Sequence, residues 1–269
     1  MLAEITPLIL TCNEEPNIAR TLSRLSWASR IVVVDSFSTD DTGAICRRHP
    51  RVEFVQRRFD SFASQCNFGL NLIKTEWVLS LDSDYVLTNE LVAELMQLRP
   101  PDNVAGYAAR FLYCIAGRPL RASLYPPRAV LYRREKARYE NDGHSHRVKI
   151  CGLVGKLAGK ILHDDRKPLS HWLAAQEKYA ELEAAKLKAA RSNDLSLQDR
   201  IRKKVILAPA LVFFYTLIGK GLILDGWPGW YYVFQRTAAE MILSLKLIEQ
   251  KVRTVTAKNP SVGAATKKS

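Results

Sequence analysis

Apolar positions in the first half of the chain fall into short blocks, each followed by a polar cluster and then by residues recurring with a helical period. Ile5 to Thr11 is the first block. After it Asn13 offers a helix N-cap, Pro16 suits a first helical turn, and Ile18, Leu22 and Leu25 recur at i, i+4 and i+7. Ile31-Val32-Val33-Val34 is a continuous β-branched run of the kind carried by a strand covered on both faces. It ends at Asp35 and the polar turn 36–41, with a short helix around residues 44–47. Residues 52–55 read as a third strand. Phe62, Cys66, Leu70 and Ile73 mark one face of a helix, and residues 77–81 form a fourth strand. Strands alternating with helices at this spacing predict βαβ units and a parallel sheet.

The fourth strand, Trp77-Val78-Leu79-Ser80-Leu81, runs into Asp82-Ser83-Asp84. In a parallel sheet this acid pair sits at the carboxyl edge, where open α/β folds bind ligands. Two close carboxylates repel, and a hard divalent cation that keeps positions free for phosphate oxygens would relieve that. The plain alternative is a turn in which Asp82 and Asp84 cap a helix beginning near Asn89. Thr11-Cys12-Asn13-Glu14 and Asp35-Ser36 end two other strands on the same edge. Acceptors suited to a base, a ribose and a metal thus converge on one crevice. No glycine-rich phosphate loop follows any strand, which argues against a Walker or dinucleotide site.

From Val104 the pattern changes. Residues 106–112 and 129–132 read as strands around a turn at Tyr125-Pro126-Pro127. Arg118, Arg121, Arg128, Arg133, Arg134 and Arg138 cluster here, either as a cationic wall for a diphosphate or an anionic acceptor, or as a solvated basic surface. His49 and His171 read as surface residues. After Pro168 the chain turns helical, with Leu173, Tyr179, Leu182 and Leu187 on a partial stripe over residues 170–191. Ser196 and Asp199 form a capping-box signature. The apolar stretch 205–224 follows Arg202-Lys203-Lys204 and is interrupted by Pro209 and by Gly219-Lys220-Gly221. Its uninterrupted apolar part, about 14 residues, is shorter than the ~20 a spanning helix needs. With Trp227, Trp230, Tyr231 and Tyr232 behind it, it reads as an interfacial membrane element, or else as a buried hairpin or the interface of a homo-oligomer. Phe234, Ala238, Met241, Leu245 and Ile248 mark one face of a last helix, and a basic disordered tail follows.

A length of 269 residues and 47% apolar content fit one large domain, or one domain plus an appendage. The formal net charge of +13 implies an anionic partner. Five scattered cysteines without a CxxC pair make structural zinc and a disulfide framework poor readings, and a reducing compartment fits best. The N-terminal segment has no basic n-region and reads as a first strand rather than a signal peptide.

Several of these stretches together resemble family-2 glycosyltransferases of the GT-A fold. They are Ile5 to Glu15 with Asn17-Ile18, Val33-Val34-Asp35-Ser36 with Ser38-Thr39-Asp40, Gln65-Cys66-Asn67-Phe68, and the run ending in Asp82-Ser83-Asp84. Gly152-Leu153-Val154-Gly155, Leu162-His163 and Leu224-Asp225-Gly226-Trp227 are similar to segments of the lipopolysaccharide-core β-1,4-glucosyltransferase branch. The resemblance implies an α/β GT-A fold, Rossmann-like, with a mostly parallel sheet and helices on both faces, over residues 1–165. A helical, membrane-associated region (166–252) and the basic tail (253–269) would follow.

It further implies that Thr11, Asn13 and Glu14 line the nucleotide pocket and that Asp35 accepts from the base or ribose. Gln65 and Asn67 would lie beside the donor, as would Ser83, with Asp82 facing the ribose or sugar. Asp84 would hold Mg²⁺ or Mn²⁺, and His163 matches a histidine that relatives place near the metal. The branch carries a His-Glu pair near Asn141-Asp142-Gly143-His144-Ser145-His146, and its Glu is absent here. Asp142 is then the first candidate for the catalytic base, with His144 or His146 second. The implied activity is inverting transfer of a sugar, glucose first among them, from a UDP-linked or related nucleotide-sugar donor. The acceptor would be a lipid-linked saccharide such as lipopolysaccharide core, at the cytoplasmic face of an anionic membrane. Transfer to polyprenyl phosphate, which needs no base, is the alternative. Nucleic-acid binding would explain the charge but not three acidic strand ends, and no nucleic-acid motif is present.

Overall fold

The computed structural model describes residues 2–142, 145–191 and 195–258, without the side chains of 142, 145, 146 and 254–258. The chain divides into two compact units after Lys167.

In the first unit β1 (Ile5–Thr11), β2 (Ile31–Asp35), β3 (Val52–Gln56) and β4 (Trp77–Asp82) lie parallel. They are linked by α1 (Glu15–Ser23), α2 (Thr42–Arg48) and α3 (Phe62–Leu72). The chain continues through β5 (Tyr85–Leu87), α4 (Asn89–Gln97), β6 (Val104–Ile115), β7 (Arg118–Pro119) and β8 (Arg128–Arg133). A hairpin of β9 (Ala137–Asp142) and β10 (Ser145–Ile150) precedes β11 (Leu153–His163). The main sheet has nine strands in the order β3-β2-β1-β4-β8-β6-β11-β5, with β7 on β6. β8 runs against both its neighbours, and β5 runs against β11.

Every residue of β2 is buried, and its period-two alternation splits it between two cores. Val33 packs with Ile18, Leu22 and Cys46 on one face, and Val32 and Val34 pack with Ala63, Cys66 and Leu70 on the other. This is why the run is apolar throughout. All five cysteines are free. The start of α1 differs from the sequence expectation. Glu14, not Asn13, occupies the N-cap position and makes no side-chain cap. Asn13 sits at φ 54°, a left-handed conformation that Asn tolerates better than most residues. The capping alternative for the acid pair also fails, because Thr88 caps α4 by accepting from the Leu91 N–H.

The second unit contains α5 (Leu169–Ala189), α6 (Leu197–Lys203), α7 (Leu207–Phe214) and α8 (Trp227–Lys258). Ala180, Ala184, Leu187, Val205, Leu243 and Leu247 build its core. Of the stripe expected on α5, Leu187 lies in this core, whereas Leu173 and Leu182 are exposed. Ser196 caps α6 as expected. Pro209 does not interrupt α7. It lies in the first helical turn, where its missing N–H has no helical partner to lose. The break comes at Gly221, at φ 69°. Arg202 turns inward onto Glu240 at 2.6 Å, and Tyr232 is buried, so neither is a surface anchor. By contrast Leu207, Leu211, Phe214 and Ile218, and Trp227, Tyr231, Phe234, Met241, Leu245 and Ile248, are exposed at helical spacing. No helix of the described residues is long and apolar enough to cross a membrane.

Candidate active site

The carboxyl ends of β1, β2 and β4 meet at one edge of the sheet. At the end of β2 the Asp35 carboxylate is fully buried and accepts four hydrogen bonds. They come from Thr11 Oγ1 (2.8 Å), Ser38 N–H (2.9 Å), Ser38 Oγ (2.5 Å) and Gln56 Nε2 (3.0 Å). Four donors fill a carboxylate's lone pairs. Asp35 thus shapes the 36–41 turn that lies over Asn13, whose Oδ1 accepts from the Thr39 N–H at 2.8 Å.

Gln65, buried on α3, donates to Ser36 Oγ and accepts from Arg57 Nη1 at 2.6 Å. Asn67 faces the other way along the sheet. Its amide donates to the Tyr139 carbonyl at 3.0 Å and accepts from the Tyr139 N–H at 2.9 Å, bracing the β9–β10 hairpin. The structure therefore brings Thr11, Asn13, Asp35 and Gln65 together and leaves Asn67 as a strut. His144 lies outside the described residues, as do the side chains of Asp142 and His146. The main chain of Asp142 closes β9 and that of His146 lies in β10.

At the end of β4, Ser83 donates to the Leu10 carbonyl (2.6 Å), and its own carbonyl accepts from Thr21 Oγ1 (2.6 Å). That fixes the turn and leaves the flanking carboxylates half-buried and unbonded to one another. Register then brings in a residue from far along the chain. His163 closes β11 directly across from Tyr85, and its Nε2 lies 3.0 Å from Asp84 Oδ2. Burial would push the Asp84 carboxyl up, but the facing imidazole outweighs it and holds the acid below its ordinary range. For His163 burial works against the charged form and Asp84 overcomes it, raising the pKa. The ring is walled by Tyr113 and Tyr125 at 4.7 and 4.6 Å, and its buried Nδ1 has no hydrogen-bond partner among the described residues.

A carboxylate oxygen and an imidazole nitrogen suit Mn²⁺ or Mg²⁺. Among the described residues no third His, Cys, Asp or Glu completes a ligand group. That fits an ion whose remaining ligands are substrate oxygens and water.

Sequence reasoning missed the segment that locks this edge. Asp164, buried, accepts from Arg20 Nη1 (2.6 Å), from Arg166 Nε (3.0 Å) and from the Gly117 N–H (2.9 Å). Asn17 of α1 donates to Glu14 and Asp165, both at 2.9 Å. Lys167 Nζ meets Glu14 Oε1 at 2.5 Å. Burial dominates at Glu14 and lifts its pKa to about 7 despite Lys167. Lys167 is raised because Glu14 outweighs burial. Asn17 and Arg20 share one helix face at i, i+3. That spacing was the available sequence signal, but their partners lie more than a hundred residues away.

Residues 8–156 match the family described as Glycosyl transferase family 2. The lipopolysaccharide core biosynthesis glycosyltransferase LpsC of Rhizobium meliloti (strain 1021) is 25% identical over 263 residues, covering 91% of this chain and 92% of that protein. An uncharacterized glycosyltransferase of Rickettsia conorii is 32% identical over 107 residues, covering 39% of this chain and 38% of its own. Among solved structures, the mannosyltransferase PcManGT from Pyrobaculum calidifontis, in complex with GDP-Man and Mn²⁺, superposes with a TM-score of 0.55 at 14% identity. It spans 92% of this chain and 88% of its own. The parallel β1–β4 half, the acid pair at its edge and the family match over more than half of the chain agree: this chain belongs to glycosyl transferase family 2.

Proposed function

We propose that the protein transfers a sugar from a nucleotide-sugar donor, UDP-glucose first among the candidates, to a saccharide of lipopolysaccharide core, with inversion at the transferred carbon. The observation that carries this reading is the Asp84–His163 pair at the end of β4, beside the turn that Asp35 organises. The full-length similarity to LpsC supports the choice of acceptor. Thr11, Asn13, Glu14 and Gln65 line or brace the nucleotide side, with Asp82 and Ser83 toward the ribose or sugar. Asp84 and His163 would hold the Mg²⁺ or Mn²⁺. Bound there, the ion would neutralise charge developing on the departing diphosphate.

Lys167, charged and close to the Glu14 carboxylate, adds a second cation on that side. The β9–β10 hairpin, braced by Asn67, carries Asp142, with His144 and His146 in reserve. Asp142 takes the acceptor hydroxyl proton as its oxygen bonds to the sugar carbon and the bond to the diphosphate breaks. The exposed apolar stripes of α7 and α8, with Lys204 and Lys251 exposed in the same unit, would seat the protein on the cytoplasmic face of an anionic membrane.

The test is donor hydrolysis across a panel of nucleotide sugars with Mg²⁺, Mn²⁺ or EDTA, on the wild type and on Asp84→Asn. Metal-dependent turnover of one donor, reduced at least a hundredfold in the variant, is the expected outcome. Equal turnover in EDTA would remove the metal role, and no turnover with any donor would remove the transferase reading. Sedimentation with anionic liposomes that persists undiminished at high salt and alkaline pH would overturn peripheral docking.

A further inference from the structure

Of the six arginines clustered between residues 118 and 138, one is set apart by its surroundings. Arg133 is paired with Glu76 and lies over the Trp77 ring, Arg134 is paired with Glu135, and Arg118, Arg121 and Arg138 are exposed. Arg128 is partly buried, yet among the described residues its guanidinium donates no hydrogen bond and forms no ion pair. Its contact is the face of Tyr125, with the guanidinium carbon 4.8 Å from the ring centroid. Tyr125 is in turn rigid. Its hydroxyl bonds that of Tyr85, and Phe111 packs edge-on at 5.1 Å.

The position follows from topology. β8 runs against β4 with Leu79 opposite Leu131. The ladder ends there and β8 shifts register on β6 just beyond it, but the antiparallel run still puts Arg128, which opens β8, at the end of the sheet where β4 closes with Asp82. Burial works against the charged form of Arg128, and Tyr125, Tyr85 and then Asp82 outweigh it. The site is thus on the far side of the acid pair from the Thr11–Asp35–Gln65 half, where the donor's base belongs. Lys167, beside Glu14, would serve the donor's phosphates from that other half, while Tyr125 borders the Asp84–His163 pair at 4.6 Å from the His163 ring. A desolvated guanidinium with unused donors is unfavourable without an anion, and its planar fork matches phosphate or carboxylate. The Tyr125 ring behind it holds the guanidinium in place through the cation–π contact.

We infer that Arg128, backed by Tyr125, forms an acceptor subsite that takes a sugar carrying an anionic group, with the anion on the guanidinium. This rests on the transferase reading and adds the charge class of the acceptor to it. Arg128 then selects phosphorylated or carboxylated acceptors over neutral ones.

The test compares transfer to a lipopolysaccharide core oligosaccharide before and after chemical removal of its phosphates, alongside calorimetric titration of UDP in the presence of Mn²⁺. The wild type is expected to have a roughly 30-fold lower KM for the phosphorylated glycan, the worth of one charge-assisted bidentate contact. Arg128→Met should erase that preference, Arg128→Lys should restore part of it, and UDP affinity should move less than threefold. Equal KM values for the two glycans in the wild type would overturn the inference, a comparison that needs no variant to fold. So would a loss of UDP affinity in step with transfer, which would assign Arg128 to the donor diphosphate. Donor hydrolysis without transfer to either glycan would also overturn it as stated. Absence of wild-type turnover with every nucleotide sugar removes the transferase reading itself.

Discussion

Replacing Asn67 separates a side chain that touches the donor from one that holds the hairpin. In the structure its amide forms two hydrogen bonds with the main chain of Tyr139, at 3.0 and 2.9 Å, and Tyr139 is 5% exposed. Asn67→Ala therefore removes the Asn67 partner from both the N–H and the C=O of Tyr139. Leaving such a group unpaired costs about 1–3 kcal/mol each, so the pair is worth roughly 3 kcal/mol after partial relaxation. For a chain of this size that lowers the melting temperature by roughly 6–12 °C. Asn67→Asp keeps the acceptor for the Tyr139 N–H but sets a carboxylate oxygen against the Tyr139 carbonyl. Its deficit should shrink below about pH 4, where the protonated acid donates in place of the amide. The assays are calorimetric unfolding and titration of UDP with Mn²⁺. UDP affinity should hold within a few fold while stability drops, and transfer should fall because the hairpin carries Asp142. A variant of unchanged stability that binds UDP tenfold more weakly would refute the strut and put Asn67 on the donor.

Three further outcomes follow from local geometry. A Cβ at Gly159 would lie 2.5 Å from the Leu91 Cα, main chain that cannot swing aside, so Gly159→Ala should cost about 2–3 kcal/mol; a loss under 0.5 kcal/mol by urea unfolding would refute it. Arg202→Ala takes the guanidinium from Glu240, 9% exposed, and removes one of the cations beside Glu183, 7% exposed, which keeps Lys186 at 4.0 Å. It should destabilise the second unit by about 3–5 kcal/mol, with Arg202→Met less damaging when Glu240→Leu is made with it; an additive pair would contradict the coupling. Glu14 keeps its proton up to about pH 7 in the folded chain but only to 4.5 when unfolded. The neutral acid therefore favours folding below that window, and the contribution, on the order of 2–3 kcal/mol, is lost as pH rises through it. The stability difference between wild type and Glu14→Gln should follow that slope, and a difference flat from pH 4.5 to 7 would rule the effect out.

Much of the first unit was legible because its signals are local. The β-branched run at 31–34 reads as a doubly covered strand, and Asp35, Asp82 and Asp84 fall at strand ends because polar residues stop apolar blocks. What was not legible depends on pairing across distance. Asp84 meets His163 only because β11 lies against β5, a ladder that no periodicity in residues 153–163 announces. The four hydrogen bonds that occupy Asp35 come from three different segments, so its type could be read but its engagement could not. In the second unit α8 is apolar on more than one side. Pattern alone selected Phe234, Met241 and Leu245 as a face, but packing chose Leu243 and Leu247 and left the first set outside.

The ladder between β5 and β11 also sets an order of assembly. β1 to β4 are consecutive βα units whose contacts close soon after each is made. β5 follows Asp84 immediately yet pairs only with β11, and α1 receives Arg166 and Lys167 only after β11 has docked. Closing so long a loop is slow compared with local pairing. During synthesis the β1–β4 half can therefore be folded while Asp84 still lacks its facing histidine, and the edge is complete only once the residues just past His163 have left the ribosome. A chain halted before them would be a half-built sheet with an open edge at β6, a ready target for proteases and for chaperones that hold unpaired strands.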